Sequence, residues 1–341
     1  MNEGEGELPR KHKLAAYYEK ENGKVRCRLC PNSCLVAAEE AGRCRVRVHE
    51  DGELVTNSYG VISALALDPT EKKPLYHFYP GKTILSLGSF GCNLRCLFCQ
   101  NWQISQTMGR ARTMTPEQVV QYAKEYRRLD CVGVAFTYNE PAIWYEFIAD
   151  TVPLIKAAGL VTVLVTNGYI SPKPWLELLA HIDAVNVDIK GWSDKFYHEL
   201  CGGSLRPVLE SARLARRYCH VEITYLLIPG HNDDEDNIAG FAQWVGDNLG
   251  NDTPVHFSRY FPSYRLDIPP TPINVLDEAR DIASQWLNYV YLGNVDLPGA
   301  SHTYCPSCGA LIIERYRSAP PRMYTDDGTC PKCGQELPIV L

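Results

Sequence analysis

The chain has 341 residues, of which 45% are hydrophobic, enough for one barrel-sized domain with small additional modules. Its net charge of −6 creates no field that would attract nucleic acid or an anionic membrane, so neither is expected as a partner. No apolar run approaches the roughly 18 residues of a membrane span, and residues 1–13 lack the apolar core of a signal peptide. The expected location is therefore the cytoplasm, where fourteen cysteines indicate metal or redox chemistry and not disulfides.

In chain order, a cysteine-rich segment comes first, and from residue 83 strand-like runs alternate with helical patterns. The predicted strands are Thr83–Leu87, Val132–Tyr138, Val161–Thr166, Ala184–Ile189, His220–Leu227 and Pro254–Tyr260, with a seventh at Tyr289–Leu292. Helix-start signals lie at Thr115–Gln118, which reads as a capping box, and at Ser171 and Asp234. A further helix from Ala142 is predicted to end at Gly159.

This alternation predicts an α/β fold built from βαβ units around a parallel sheet. Six to seven units in about 210 residues favour a partial (β/α)6-type parallel barrel over a shorter open sheet. We predict three regions: an N-terminal Cys-rich segment with a lead-in (1–82), the barrel (83–296) and a C-terminal metal-binding module of zinc-ribbon or rubredoxin type (297–341).

Polar residues recur on the face of three predicted strands that does not meet the helices. These residues are Asn186, Asp188 and Lys190 on one strand, Glu222 and Thr224 on the next, and His256 and Ser258 on a third. A barrel lumen is normally packed with apolar side chains, so the pattern predicts a wet or ligand-filled lumen. The alternative is a set of internally paired polar groups.

The most specific motif is the run Cys92-x3-Cys96-x2-Cys99, which follows the first barrel strand. Three thiolates can hold three irons of a [4Fe–4S] cube and leave the fourth iron without a protein ligand. Most cluster and zinc sites close their shell with four ligands. A run that stops at three indicates a coordination position kept for a substrate or cofactor.

Eight other cysteines fall into two groups of four. Cys305, Cys308, Cys330 and Cys333 form two C-x2-C knuckles, which predict a tetrahedral site for zinc or a single iron. Cys27, Cys30, Cys34 and Cys44 have less regular spacing, which fits structural zinc or a second [4Fe–4S] cluster. The remaining cysteines, Cys131, Cys201 and Cys219, are expected to be small core or loop residues.

The cysteine triplet after a first barrel strand resembles the cluster loop of radical S-adenosylmethionine (SAM) enzymes. The resemblance implies a [4Fe–4S] cluster that reductively cleaves SAM to a 5′-deoxyadenosyl radical, which then abstracts hydrogen from a substrate. It also implies an electron donor. Phe98 takes the aromatic position that lies near the adenine in that superfamily.

Further segments at strand ends extend the likeness. Tyr138-Asn139-Glu140-Pro141 occupies the place of a Gly-Gly-Glu-Pro motif that contacts the methionine amino group, although its glycines are absent here. Asn167 and Asp188 lie in segments similar to those that contact SAM in glycyl-radical-enzyme activases. The implied cofactor-binding residues are Phe98, Asn139, Glu140, Asn167, Asp188 and Lys190, and the candidate catalytic residues are His256 and Lys190.

Across nearly the whole chain, the sequence is most similar to the radical SAM enzyme of the AmmeMemoRadiSam system. That family implies Memo-like and Ammecr-like proteins as partners and leaves the substrate, a small molecule or a protein, open. One alternative function is a glycyl-radical-enzyme activase, but residues 100–112 lack the cysteines of its ferredoxin-like insert. An alternative of another class is a non-catalytic, metal-bearing scaffold for those partners.

Overall fold

The protein is described by a computed structural model over residues 12–316 and 319–341. Residues 1–11, on which the signal-peptide prediction largely falls, lie outside the described part. The N-terminal region contains seven short strands: β1 (Lys13–Leu14), β2 (Tyr18–Glu21), β3 (Lys24–Cys27), β4 (Leu35–Val36), β5 (Arg47–Glu50), β6 (Glu53–Thr56) and β7 (Val61–Ile62). Two antiparallel sheets, of orders β2-β3-β4 and β1-β6-β5, hold the first cysteine group.

The centre of the molecule is a sheet of eight strands, and a short strand outside it pairs with β7. The strands of this region are β8 (Ala64–Pro69), β9 (Thr83–Gly88), β10 (Arg112–Thr113), β11 (Cys131–Phe136), β12 (Val161–Thr166), β13 (Ala184–Asp188), β14 (His220–Leu227), β15 (Val255–Arg259) and β16 (Val290–Gly293). The sheet order is β16-β15-β14-β13-β12-β11-β9-β8. The seven predicted strands are therefore confirmed, and they pair in parallel as expected.

Strand β8 was not predicted. It pairs antiparallel with β9 and forms one edge of the sheet, while β16 forms the other. The described strands therefore form an open sheet, and barrel closure is not observed. Four consecutive residues of β8, Ala64 to Leu67, are apolar but only half-buried, and the strand ends at Pro69, as suits an edge strand.

Helices connect successive strands: α1 (Trp102–Ser105), α2 (Pro116–Glu125), α3 (Tyr145–Ala157), α4 (Pro172–Leu179), α5 (Asp194–Phe196), α6 (Leu205–Ala215), α7 (Glu235–Leu249) and α8 (Ile273–Ala283). The predicted capping box is present, because Thr115 Oγ1 accepts from Gln118 N and Gln118 Oε1 accepts from Thr115 N. Asp234 caps α7, because its Oδ1 accepts from Asn237 N at 3.0 Å. Within the described residues, no helix has the length and apolar character needed to cross a bilayer.

The polar inner face of the sheet is covered by the protein's own lead-in segment, residues 74–77. The fully buried Glu222 carboxylate accepts from the backbone N–H groups of Tyr76 (2.9 Å) and His77 (2.7 Å) and from His256 Nε2 (2.6 Å). Asn186 donates to Pro74 O at 2.8 Å. The prediction of a wet or ligand-filled lumen is therefore wrong for this part of the sheet. The lead-in segment fills the space, and its backbone groups form hydrogen bonds with the polar side chains. A pattern of side chains in the sequence does not reveal such backbone partners.

The C-terminal region adds a small antiparallel sheet, β17 (Thr303–Tyr304), β18 (Leu311–Glu314) and β19 (Arg322–Met323). Its core consists of Cys305, Ile312, Ile313, Cys330 and Leu337. The region docks through His77, whose Nδ1 lies 3.2 Å from Pro338 O and whose Nε2 lies 2.6 Å from the Tyr291 hydroxyl. Because a carbonyl only accepts, Nδ1 carries the proton, and the neutral ring's Nε2 accepts from Tyr291.

Stability should depend on pH through His77. Burial lowers the pKa of His77 to about 3, against an ordinary value of 6.5, so below pH 6.5 the unfolded chain binds a proton that the folded chain does not. Stability therefore falls as the pH drops from about 6.5 towards 3. Between pH 7.5 and 5.5 the native protein should lose about 1.4 kcal/mol more than His77→Gln, measured by urea unfolding.

His181→Gln serves as the control, because His181 is exposed. This variant should keep the native pH dependence. A His77→Gln curve parallel to the native curve would show that His77 does not titrate in this way.

Candidate active site and metal centres

The cysteine triplet lies in the loop that leaves the carboxyl end of β9, where sites of parallel α/β folds gather. The loop turns at Gly91, whose φ is +85°. A Cβ there would lie 2.5 Å from the carbonyl oxygen of Cys44, so the loop packs directly on the N-terminal cysteine group. The backbone N–H groups of Arg95 and Leu97 donate to the carbonyls of Cys201 and Leu200, both at 2.8 Å.

Each thiol of the triplet has a polar neighbour. Leu94 N and Asn167 Nδ2 donate to Cys92 Sγ at 3.4 and 3.6 Å, and the Ser105 hydroxyl lies 3.2 Å from Cys99 Sγ. The Cys201 thiol lies within hydrogen-bonding reach of Cys96. Cys201 was expected to be an ordinary core or loop residue, and no local motif could have revealed this contact across 105 positions. Such donors stabilise ligating thiolates.

Asn139 and Asn167 brace the triplet loop from two sides. Asn139 Oδ1 accepts from Ser89 N at 2.9 Å, and its Nδ2 donates to the carbonyls of Phe90 (3.2 Å) and Gly91 (3.1 Å). Asn167 Nδ2 also donates to Asn93 Oδ1 at 2.9 Å. Both side chains, predicted as cofactor contacts, therefore position the loop in this structure.

Glu140 is buried at the start of the turn before α3 and links two strand ends. Its Oε1 accepts from Ala142 N (2.8 Å) and from the Thr166 hydroxyl (2.6 Å), and its Oε2 accepts from Asn167 N at 2.8 Å. Burial raises the pKa of Glu140. The carboxylate acts electrostatically on both Cys92 and Lys190, so it lies near the triplet, and its contact with a cofactor stays a prediction.

Asp188 and Lys190 form an ion pair at the carboxyl end of β13. Burial opposes the charge on Lys190, but the Asp188 carboxylate, with Cys96 beside it, raises the pKa of Lys190 well above its ordinary value. The ammonium therefore keeps its proton at all physiological pH values. Two buried oxygens, Asp188 Oδ1 and the Ser89 hydroxyl at the start of the triplet loop, have no hydrogen-bond partner in the described part of the chain. Two unpartnered buried oxygens at one edge indicate room for a polar ligand.

Of the other predicted residues, Phe98 is buried, with its ring centroid 6.0 Å from that of Phe196. His256 lies on the inner face of the sheet that the lead-in covers, where it is hydrogen-bonded to Glu222 and packs against the rings of Tyr76 and Tyr291. No described contact joins His256 to the triplet, and its catalytic role stays a prediction. Asn232, in the loop after β14, holds Lys190 by donating to its carbonyl at 3.0 Å.

The four C-terminal cysteines form a compact centre. The sulfur atoms of Cys305, Cys308, Cys330 and Cys333 all lie within 4.8 Å of one another, and two pairs are 3.6 Å apart. This spacing fits a single tetrahedral metal ion. The centre could bind zinc or iron equally well on this geometry.

The four N-terminal cysteines, Cys27, Cys30, Cys34 and Cys44, line a common cavity beside the triplet loop. Burial raises the pKa of Cys30 to about 12 and that of Cys44 to about 11. Without a metal these thiols hold their protons at neutral pH, so metal binding there would release protons.

A wide cleft of about 1480 Å³ opens between the two edge strands of the sheet, β8 and β16. It runs from Gln100, next to the third cysteine of the triplet, to Arg315 in the C-terminal region. Arg259 and Phe261 lie along it. Its size exceeds that of an ordinary small-molecule pocket.

Residues 87–242 match the family model described as the radical SAM superfamily. The match spans the triplet and the strand ends that carry Glu140, Asn167 and Asp188. Residues 87–242 therefore belong to the radical SAM superfamily, and the protein is an enzyme of that class. Membership implies a [4Fe–4S] cluster, SAM, a substrate and a reductant.

Two relatives show how far the likeness extends. An uncharacterized protein of Methanocaldococcus jannaschii is 45% identical over 336 residues, covering 96% of this chain and 99% of that protein. The pyruvate formate-lyase 1-activating enzyme of Escherichia coli is 28% identical over 214 residues, covering 58% of this chain and 86% of the enzyme.

A solved structure shares the fold. The structure of Streptococcus suis SuiB bound to S-adenosylmethionine aligns with a TM-score of 0.52 at 15% identity, covering 67% of this chain and 53% of that one. At this identity the likeness concerns the fold alone.

The C-terminal centre should stabilise the protein without supporting the chemistry of the triplet. Cys333→Ser, at an exposed position of the centre, should lose about one metal equivalent per chain and several kcal/mol of unfolding free energy. Elemental analysis and thermal unfolding measure both. Cys219→Ser, outside all three groups, should change neither, and unchanged metal content in Cys333→Ser would contradict a four-cysteine site.

Proposed function

We propose that the protein reductively cleaves SAM and uses the resulting 5′-deoxyadenosyl radical to abstract hydrogen from a separate substrate. The observation that carries the proposal is the triplet of cysteines beside a buried carboxylate oxygen of Asp188 that has no partner. A closed structural metal site needs neither an open ligand set nor an unused acceptor next to it.

Cys92, Cys96 and Cys99 would hold a [4Fe–4S] cluster through three of its irons, so that the fourth iron would be available to the amino and carboxylate groups of SAM. The residues present fit these groups. The thiols have donors from Leu94 N, Asn167 and Ser105 that compensate ligand charge, and Asp188 Oδ1 and Ser89 Oγ are free to bond a polar ligand. When bound, the reduced cluster supplies the electron that breaks a carbon–sulfur bond of SAM.

The chain's own residues bind, orient and exclude water. Glu140 presents a carboxylate next to Cys92, suited to an ammonium group, while its present bonds hold the strand ends in place. Phe98 is proposed to pack near the adenine on the family resemblance. Lys190 keeps its proton and places a positive charge by Cys96 and Cys99, which stabilises an anionic cluster.

The substrate enters through the wide cleft between the sheet edges. Because the cleft reaches Gln100 beside the third cysteine, a substrate bound there lies near the site where the radical forms. The volume of about 1480 Å³ suits a large molecule or a protein segment. Memo-like and Ammecr-like proteins are proposed as partners on the family resemblance, and an electron donor is required.

A glycyl-radical-enzyme activase is the second candidate. It is supported by the 28% identity to the pyruvate formate-lyase 1-activating enzyme. An activase would leave a stable radical on a protein glycine, visible by electron paramagnetic resonance. Deuterium tracing from candidate substrates into 5′-deoxyadenosine distinguishes the two, because it identifies which molecule loses the hydrogen.

Anaerobically reconstituted, dithionite-reduced protein should convert SAM to 5′-deoxyadenosine and methionine, measured by chromatography. Cys96→Ala should abolish this conversion, because an iron of the cluster loses its ligand. Cys219→Ala is the matched control and should retain it. If the native protein yields no 5′-deoxyadenosine at verified iron and sulfide content, the proposed function is wrong.

Asp188→Asn should weaken SAM binding, because an amide is a poorer acceptor and carries no charge. We expect the Kd for SAM to rise about tenfold, equivalent to about 1.4 kcal/mol, in equilibrium dialysis of reconstituted protein. Asp236→Asn, at an exposed position in the first turn of α7, should bind SAM normally. Equal affinities for both variants at equal iron content would remove Asp188 from the SAM site.

A further inference from the structure

The N-terminal cysteines enclose space. Cys27, Cys30, Cys34 and Cys44 line a cavity of about 10 Å³, enough for a water-sized sphere between them. In a zinc site the ion lies about 2.3 Å from each sulfur, which leaves no such space and sets the sulfurs less than about 4 Å apart. Over the described residues, only the C-terminal cysteines gather their sulfurs within 4.8 Å of one another. The N-terminal sulfurs surround a larger volume.

Two arginines at the same cavity have unused donors. Arg43 and Arg47 both line it, and the buried Nε atom of each has no hydrogen-bond partner among residues 12–316 and 319–341. Arg47 is only 1% exposed, and its Nη1 donates to Cys27 Sγ at 3.3 Å. Its Nη2 pairs with Glu146. Buried guanidinium donors without partners are costly, so their presence points to an acceptor that occupies the cavity.

The charge of the cavity agrees with an anionic occupant. Four thiolates around a doubly charged metal core carry two net negative charges, and burial makes uncompensated charge unfavourable. Arg43 and Arg47 supply two positive charges at the cavity, one of which is shared with Glu146. Bridging sulfides of an iron–sulfur cluster would accept from the unused Nε–H groups, whereas a lone zinc ion offers no additional acceptor.

We propose that Cys27, Cys30, Cys34 and Cys44 hold a second [4Fe–4S] cluster, with Arg43 and Arg47 donating to its sulfur atoms. The site adjoins the triplet loop. Asn93, which follows Cys92, lines the cavity, and its carbonyl accepts from Asn32 Nδ2 at 2.7 Å. The C-terminal centre, with its closely gathered sulfurs, holds a single ion. This assignment does not depend on SAM cleavage.

The test uses the full chain carrying Cys92→Ala, Cys96→Ala and Cys99→Ala together, which removes the triplet as a cluster site. After anaerobic reconstitution with iron and sulfide, this variant should retain about four irons and four sulfides in a [4Fe–4S] cluster. Mössbauer spectroscopy separates that cluster from a single iron at the C-terminal centre. Adding Cys30→Ser should remove the cluster, whereas adding Cys219→Ser should preserve it.

A sulfide-free triple variant that binds zinc in a Cys30-dependent manner would overturn the proposal, as would a folded variant with no metal at the N-terminal cysteines. If the triple variant does not fold, the native protein decides. About eight cluster irons per chain support the second cluster, and about four contradict it. Because these counts need no SAM turnover, failure of the second cluster and failure of the proposed reaction are distinguishable.

Discussion

One buried carboxylate, that of Glu222, determines how the three regions fit together. A charge with no solvent exposure needs several donors, and Glu222 obtains them from two backbone N–H groups of the lead-in and from His220 and His256. Burial favours its protonation, but the hydrogen bonds from the two histidines outweigh burial and lower the pKa of Glu222. The fixed lead-in then presents His77 to the C-terminal region. The lead-in thereby fills the inner face of the sheet around Glu222, and the carboxyl ends of the strands are left for a ligand.

The parallel core was predictable because its largely apolar strands, such as β12, alternate with helices that have clear start signals, such as α2 with its capping box. Strand β8 also has a short apolar run, but it pairs antiparallel at the edge of the sheet and no α-helix separates it from β9, so the alternation of strands and helices did not predict it. Asn186, Glu222 and His256 were correctly placed on one face. Their partners were missed because the main-chain donors at Tyr76 and His77 come from a distant segment and have no signature in the sequence. The contact between Cys96 and Cys201 escaped prediction for the same reason.

At the site, the sequence predicted which polar side chains are present better than it predicted whether each one binds a ligand or holds the loop in place. Asn139 and Asn167 were expected to touch a cofactor, yet most of their hydrogen bonds hold the triplet loop. An amide has few donors and acceptors, so one that braces a loop has little left for a ligand. Asp188 differs, because Lys190 occupies only one of its oxygens. The distinction between bracing and binding therefore depends on counting partners, which requires the structure.

The two four-cysteine groups differ in what their loss would disturb. The C-terminal group belongs to a small core that touches the sheet through His77 and Arg315, at the end away from the triplet. The N-terminal group lies against the triplet loop itself, through Gly91 on Cys44 and Asn93 on Asn32. Because packed loops transmit displacements of a few tenths of an ångström, a metal bound at the N-terminal group would also set the geometry of the loop that carries Cys92. The arrangement therefore couples the two neighbouring cysteine groups through direct contact.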